Sequence, residues 1–459
     1  MSVSIEEIKR LWLDFSKADK ELLNGRIAED IEKYRKGYCK LRFTDKNGKP
    51  ISNKKITVNQ VKHDFRYGAN IFMLDEFEND EVNKRYRDTF KKYFNSATVP
   101  FYWDGIEPEK NKTRYDKNSK KIYRRPPTDL CMEYCEENGI NPKLHCLVYE
   151  AFVPDWVPKN DIGKMEELYE ERFRQISERY SRRMFEFEVI NETLLLPFVE
   201  KKSIIGKKDD VVEWAFKLAE KHFPNDKLVI NDNVSTTLTN PGANPICNIA
   251  KYGTLAFYYL LAENSILKGC KIDTIGLQHH CMVGVDSTTQ EEYDKSVKKG
   301  SDMFSPSNIL KGLDTVEKLG KPIEITEITI PTFGETEEFE NIQADLLEML
   351  YTSLFSHKSV ETVVYWNLPD NCAYSSSETW NENRCRGGLF HKDMTPKKSA
   401  ERLYYLFNKK WHTDLELTTD ENGYVEFKGF YGDYDIEIDG KKEKFGLHKN
   451  NSNFSEIKI

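Results

Sequence analysis

Eight short runs of β-branched and apolar residues, at 65–71, 93–98, 143–148, 184–191, 227–232, 272–279, 322–328 and 361–367, are separated by stretches of helical period. Strands that alternate with helices pair in parallel, because each crossover helix returns the chain to the same end of the sheet. Eight such units can close the sheet on itself, so the order predicts an α/β fold, a (β/α)8 TIM barrel. The intervening helices are legible: the segments Asp209–Ala219 and Tyr252–Leu261 both carry the helical spacing of apolar side chains.

Two of the runs end in a glutamate. Phe185-Glu186-Phe187-Glu188-Val189-Ile190-Asn191 leads into Glu192, and Pro322-Ile323-Glu324-Ile325-Thr326 leads into Glu327. Carboxylates at the carboxyl ends of parallel strands face the barrel mouth, where loops rather than core surround them. Two that oppose each other can cut a glycosidic bond, one as proton donor and one as nucleophile or base. Taken singly, each glutamate reads more readily as a surface or salt-bridged residue than as a catalyst, and the pair gains its weight only from the residues ordered around it.

Composition narrows the partners. A 39% hydrophobic and 31% charged chain of 459 residues is a globular protein, long enough for one barrel with insertions and a small appendage. The net charge of −8, with no basic block interleaved with aromatics, argues against a nucleic-acid partner. Aromatics are plentiful, at 24 Tyr, 26 Phe and 7 Trp, which suits stacking on sugar rings as well as core packing. The odd set of nine Cys has no close CxxC pair, which speaks for free thiols rather than a disulfide or zinc scaffold. No metal and no organic cofactor is expected. The N-terminus, Met1–Arg10, lacks a signal-peptide stretch and no segment has a membrane span's run of apolar residues, so a cytoplasmic protein is expected, or a secreted one if a leader was removed.

Four segments are expected. Residues 1–37 form a helical piece, with Ile5, Ile8, Leu11, Trp12 and Phe15 on one stripe and Ser4 as its N-cap. Residues 38–62 read as a β-hairpin turned by Asp45-Lys46-Asn47-Gly48-Lys49-Pro50. The barrel occupies 63–410, and 411–459 is a β-rich appendage that completes a small accessory β-sandwich with the hairpin.

Seven pieces in chain order carry a family resemblance. They are Phe94–Thr98 with Trp103–Glu109; Leu147-Val148 with Pro154-Asp155-Trp156; Val189–Glu192; Asn231-Asp232-Asn233; Ile275–His280; Ile325-Thr326-Glu327; and Trp366–Asp370 with Gly388-Leu389-Phe390. In these the chain resembles glycoside hydrolase family 10, the β-xylanase family, across most of residues 38–459. The resemblance implies retaining hydrolysis of a β-linked oligo- or polysaccharide, with Glu192 as acid/base and Glu327 as nucleophile. It implies that Asn191 bonds the 2-hydroxyl of the reacting sugar, that Gln278 and His280 hold Glu327 and that sugar, and that Trp366 walls the site. Tyr102, Trp103, His145, Glu150 and Asn231 are the further substrate-binding candidates it points to.

The chain also departs from the family pattern. Typical members carry a Glu-Asn pair and a Lys ahead of the Trp, whereas this chain runs Thr98-Val99-Pro100-Phe101-Tyr102-Trp103, shorter and apolar. The family's Trp-His is Tyr149-Glu150 here, and its Leu-Asp after the nucleophile is Ile328-Thr329. Losing a lysine and an amide removes charge-assisted hydrogen bonds of about 1.5–3 kcal/mol each, so the sugar recognised is left open. Glu150 is read either as an acceptor for a sugar hydroxyl or as the partner of a nearby arginine. Three functions stay in view: an endo-1,4-β-xylanase-like hydrolase, a retaining β-glycosidase for another glycan or plant glycoside, and a catalytically silent carbohydrate-binding barrel.

Overall fold

The computed structural model describes residues 3–194, 203–233, 248–298, 301–376, 380–451 and 453–459. Two strands come first, β1 (Lys36–Thr44) and β2 (Lys55–His63). Then follow β3 (Arg66–Asn70), β4 (Ser96–Pro100), β5 (Asn141–His145), β6 (Glu186–Asn191), β7 (Leu228–Asp232), β8 (Thr274–His280), β9 (Ile323–Thr329) and β10 (Val360–Tyr365). These eight close into a barrel in the order β10-β3-β4-β5-β6-β7-β8-β9, each pair parallel. All eight lie within the runs expected from the sequence or within two residues of them. Strands buried on both faces are rich in apolar residues, although β6 and β9 alternate them with buried glutamates.

The barrel interior is not wholly apolar. Lys143 of β5 lies 2.9 Å from Glu324 Oε2 of β9 and 3.4 Å from Glu188 Oε2 of β6, and Arg66 Nη2 of β3 lies 3.4 Å from Glu324 Oε1. Burial holds Glu186 protonated, helped by the neighbouring Glu324, whose own proton is driven off by Lys143 and Arg66 despite its burial. Breaking one member of such a buried set costs about 3–5 kcal/mol, because a partner charge is stranded away from water. The network therefore pins β3, β5, β6 and β9 together beneath the mouth.

The accessory domain differs from the expected hairpin. β1 and β2 do not pair with each other: β1 sits between β12 (Tyr424–Phe430) and β15 (Phe454–Lys458), while β2 sits between β11 (Asp414–Thr418) and β13 (Gly432–Ile438), with β14 (Lys441–Leu447) at the edge. The turn-rich connection carries the chain from one sheet to the other. A core of Leu41, Phe43, Ile56, Val58, Phe427, Tyr434, Ile436 and Leu447 fills the space between them, built from alternate residues along each strand. The accessory sandwich thus draws on both ends of the chain.

The N-terminal helical piece is also interrupted. A helix at Ile5–Trp12 is capped by Ser4, whose hydroxyl accepts from Glu7 N–H, and a second starts at Lys17 because Ser16 caps it from Asp19 N–H. Two cap residues in one stretch favour two helices over a single long one. Arg35, at the end of this piece, donates to the carbonyls of Phe355, His357 and Val360, which fastens it to the barrel. Among the described residues, no helix is long and apolar enough to cross a membrane.

Candidate functional site

Both glutamates reach the mouth through an irregularity in their strands. In β9 the pairing with β8 jumps from Leu277↔Ile325 to Gln278↔Glu327, and in β6 the pairing with β7 jumps from Glu188↔Val229 to Ile190↔Ile230. A bulge of this kind re-aims side chains that strict alternation would turn to the outer face. Thr326 and Glu327 consequently both point inward: Thr326 Oγ1 donates to Asn231 Oδ1 at 2.7 Å, and Glu327 Oε1 accepts from Asn231 Nδ2 at 3.2 Å. Glu192 follows the end of β6 with φ of 55°, a left-handed conformation that a non-glycine residue keeps only where its surroundings demand it.

One amide links the pair. Gln278 Nε2 lies 3.0 Å from Glu192 Oε1, 3.0 Å from Glu327 Oε1 and 3.3 Å from Asn191 Oδ1. Turned over, the amide would set its oxygen against two carboxylates, so electrostatics fixes this orientation. Asn231 does the same one layer deeper, with its Nδ2 3.1 Å from Glu188 Oε1 and 3.1 Å from Asn191 Oδ1. His280 Nε2 lies 3.0 Å from Glu327 Oε2 and its Nδ1 2.8 Å from Thr329 Oγ1. The Tyr149 hydroxyl donates to Glu192 Oε2.

Charge is set from below. Burial works against a charged His145, but Glu188, 2.8 Å from its Nδ1, overcomes that and raises its pKa above the ordinary value. Its Nε2 meets the Tyr102 hydroxyl at 2.9 Å. Burial pushes the Glu327 carboxyl up to about 8, with Glu188 and Glu192 adding to the rise while His145 and Lys143 oppose it. Burial lowers His280, so that this ring is neutral near pH 7. Thr329 is a neutral partner for it, and the consistent arrangement has the threonine hydroxyl donating to Nδ1 and Nε2–H donating to Glu327.

An aromatic box stands beside the carboxylates. Phe72, Tyr102 and Trp366 form one cluster, joined at its edge by Tyr149 and Phe152. Trp366 packs edge-on to Phe72 at 5.2 Å, to His145 at 5.3 Å and to His280 at 6.2 Å. The structure thus brings Asn191, Glu192, Gln278, His280, Glu327, Trp366, His145, Tyr102 and Asn231 together.

Two expected members lie elsewhere. Trp103 is buried against Trp156 and Tyr169, with its Nε1–H on Glu107 Oε2, so it pins the loop after β4 to the helix Ile162–Tyr180. Glu150 turns to the Ser203–Gly206 stretch. It is buried and accepts from Ser203 N–H at 3.0 Å and from the Ser203 hydroxyl at 2.7 Å. A side chain on Gly206 would strike it, since a Cβ there would stand 2.7 Å from Oε2. A residue's position at a strand end does not say which way its side chain turns.

Tyr149, Glu188, Thr326, Thr329 and Phe72 belong to the site without having been singled out. Glu188 had a signal: charged residues at every second position of an otherwise apolar strand, as at Glu186 and Glu188, mark an inward-facing polar row.

The sequence model described as Glycosyl hydrolase family 10 matches residues 59–404. Among curated proteins, the anti-sigma-I factor RsgI6 of Acetivibrio thermocellus is 26% identical over 416 residues, covering 89% of this chain and 46% of that protein. Endo-1,4-beta-xylanase 1 of Arabidopsis thaliana is 25% identical over 418 residues, covering 90% of this chain and 37% of that protein. The chain therefore spans less than half the length of either relative. Among solved structures, xylanase 10B from Thermotoga petrophila in complex with xylobiose superposes with a TM-score of 0.56 at 20% identity, covering 76% of this chain and 95% of that one.

Proposed function

The chain belongs to glycosyl hydrolase family 10, and from that footing we propose that it cleaves β-1,4-linked xylan or xylo-oligosaccharides with retention of configuration. The observation that carries the reading is the shared donor. One oxygen of each carboxylate lies 3.0 Å from Gln278 Nε2, so these oxygens stand no more than about 6 Å apart, in keeping with the close pair of a retaining enzyme.

In the first step Glu327 attacks the anomeric carbon and the glycosidic C–O bond breaks. Glu192 gives its proton to the leaving oxygen, and an ester joins sugar and Glu327. In the second, Glu192 takes a proton from water as that water attacks the same carbon, and the ester bond breaks. Asn191 Oδ1 is occupied by Asn231 and Gln278, which leaves its Nδ2 hydrogens for the 2-hydroxyl of the bound sugar. Trp366 supplies the wall against which the sugar ring rests.

The substrate is drawn from the names of relatives, several of which are endo-1,4-β-xylanases. A second reading, a retaining β-glycosidase for a different glycan, is favoured by the apolar 98–103 stretch. A silent carbohydrate-binding barrel would have no use for two opposed carboxylates on one donor. The test is hydrolysis of xylan, xylo-oligosaccharides and aryl glycosides of xylose, glucose, galactose and arabinose, with the anomer first released read by NMR. Release of the β-anomer from xylosyl substrates supports the proposal. Turnover of another sugar alone points to the second reading, and inversion refutes the mechanism.

A further inference from the structure

Two adjacent arginines stand over the aromatic box. Arg124 and Arg125 come from the long loop between β4 and the helix Thr128–Asn138, and the backbone at Arg124 is left-handed, with φ of 61°. The Arg125 guanidinium lies 4.1 Å over the Tyr102 ring, 5.4 Å from that of Phe152 and 5.7 Å from that of Phe72. Tyr102 is in turn 6.0 Å from Tyr149, whose hydroxyl holds Glu192. Arg125 therefore stands on the ring that meets Tyr149, the residue whose hydroxyl holds Glu192.

Their bonding is unequal. Arg124 is buried and donates twice to Asn367 Oδ1 and once to the Cys372 carbonyl, while its Nε is left without a partner. Its nearest counter-charge, Glu382, acts through Asn367, whose Nδ2 donates to it at 3.0 Å. Arg125 is half-buried, and the one hydrogen bond it donates goes from Nη1 to the Arg124 carbonyl at 2.9 Å. Neither forms an ion pair among the described residues. Two neighbouring cations withdrawn from water without a carboxylate between them are costly to fold, and ring faces compensate only part of the charge. A guanidinium on ring faces keeps its planar donor fork free for a planar anion.

We infer that Arg125, backed by Arg124, selects a glycan whose glycon carries a carboxylate, a uronosyl sugar. The inference rests on the proposed function only in placing the sugar on this side of the two glutamates. Stacking on Phe72, Tyr102 and Trp366 serves the ring, and the guanidinium serves the carboxylate.

The test is titration calorimetry on full-length protein carrying Glu327→Gln, which separates binding from turnover. Glucuronate and glucuronosyl-xylose are the charged probes, with glucose and xylobiose as their neutral matches. A charged probe is expected to bind roughly tenfold to a hundredfold tighter than its match, with the preference shrinking as salt is added. Adding Arg125→Gln is expected to abolish the ratio, and Arg125→Lys to keep part of it. Equal binding of charged and neutral probes overturns the inference, as does a preference that survives Arg125→Gln. Should Arg125→Gln fail to fold, Arg125→Lys and the salt dependence decide, and a salt-independent preference is fatal. Xylobiose binding without hydrolysis by the unmodified protein would count against the proposed function and leave this inference standing.

Discussion

Glu192 and Glu327 share a hydrogen-bond donor, since Gln278 Nε2 stands 3.0 Å from one oxygen of each. Two carboxylates this close repel, and a single amide between them offsets that repulsion while fixing their separation. Replacing Gln278 by Leu keeps the bulk and removes the donor. The expected result is a loss of roughly a hundredfold in kcat/KM, of the size seen when one aligned donor is removed from a reacting centre. Steady-state kinetics on an aryl xylobioside checks it, and a change below about threefold would show that the carboxylates are held by other groups.

The proton of the pair should be visible in the pH profile. Burial raises Glu327 to about 8, so this carboxyl keeps its proton until that pH and loses it above. Glu327 attacks as the carboxylate, so kcat/KM is expected to rise with pH along a limb whose midpoint lies near pH 8. Stability follows the same shift: the folded protein holds a proton that the unfolded chain releases near the ordinary carboxylate value of 4.5, so this group lowers stability progressively as pH rises from there towards 8. Glu327→Gln should flatten that slope, which urea unfolding at pH 5 and pH 8 measures.

Burial keeps His280 neutral, and Thr329 offers its Nδ1 a hydroxyl at 2.8 Å where a carboxylate would favour the imidazolium. Thr329→Asp is expected to raise the His280 pKa. A positive ring 3.0 Å from Glu327 Oε2 then favours the ionised carboxylate, and the rising limb set by Glu327 moves to lower pH. Titration of the histidine ring signals by NMR, beside the rate profile, reads both effects. Movement of neither would contradict the neutral assignment.

Glu150 holds the Ser203–Gly206 stretch by accepting from both donors of Ser203. Glu150→Ala strands those donors and should cost about 2–3 kcal/mol of unfolding free energy. The ratio of activities on neutral xylosides and glucosides should not change. Denaturant unfolding with that ratio separates this role from sugar recognition, which predicts the reverse pattern.

The barrel was legible because its strands are short, β-branched and buried on both faces, a local pattern that survives in sequence. The accessory strands were legible as strands but not as pairs. Alternation along 36–44 and 55–63 with a turn between them fits a hairpin and a sheet-to-sheet corner equally, and the choice is made by β12 and β13, hundreds of residues away. Glu192 and Glu327 were legible from their strand-end positions and neighbours. Trp103 and Glu150 were misplaced because side-chain direction in loops depends on contacts such as Tyr169 and Ser203 that no spacing encodes. Arg124 and Arg125 escaped for the same reason, in a loop whose path turns on one left-handed residue.

Labelling of the nucleophile tests the account most directly. The protein is reacted with an aryl 2-deoxy-2-fluoro-β-xylobioside, whose fluorine slows breakdown of the ester more than its formation, and its peptides are mapped by mass spectrometry. The account predicts one fluorinated disaccharide per chain, on Glu327, and none in Glu327→Gln. A label on Glu192 or elsewhere, or hydrolysis of xylobiosides with no label accumulating, would contradict it.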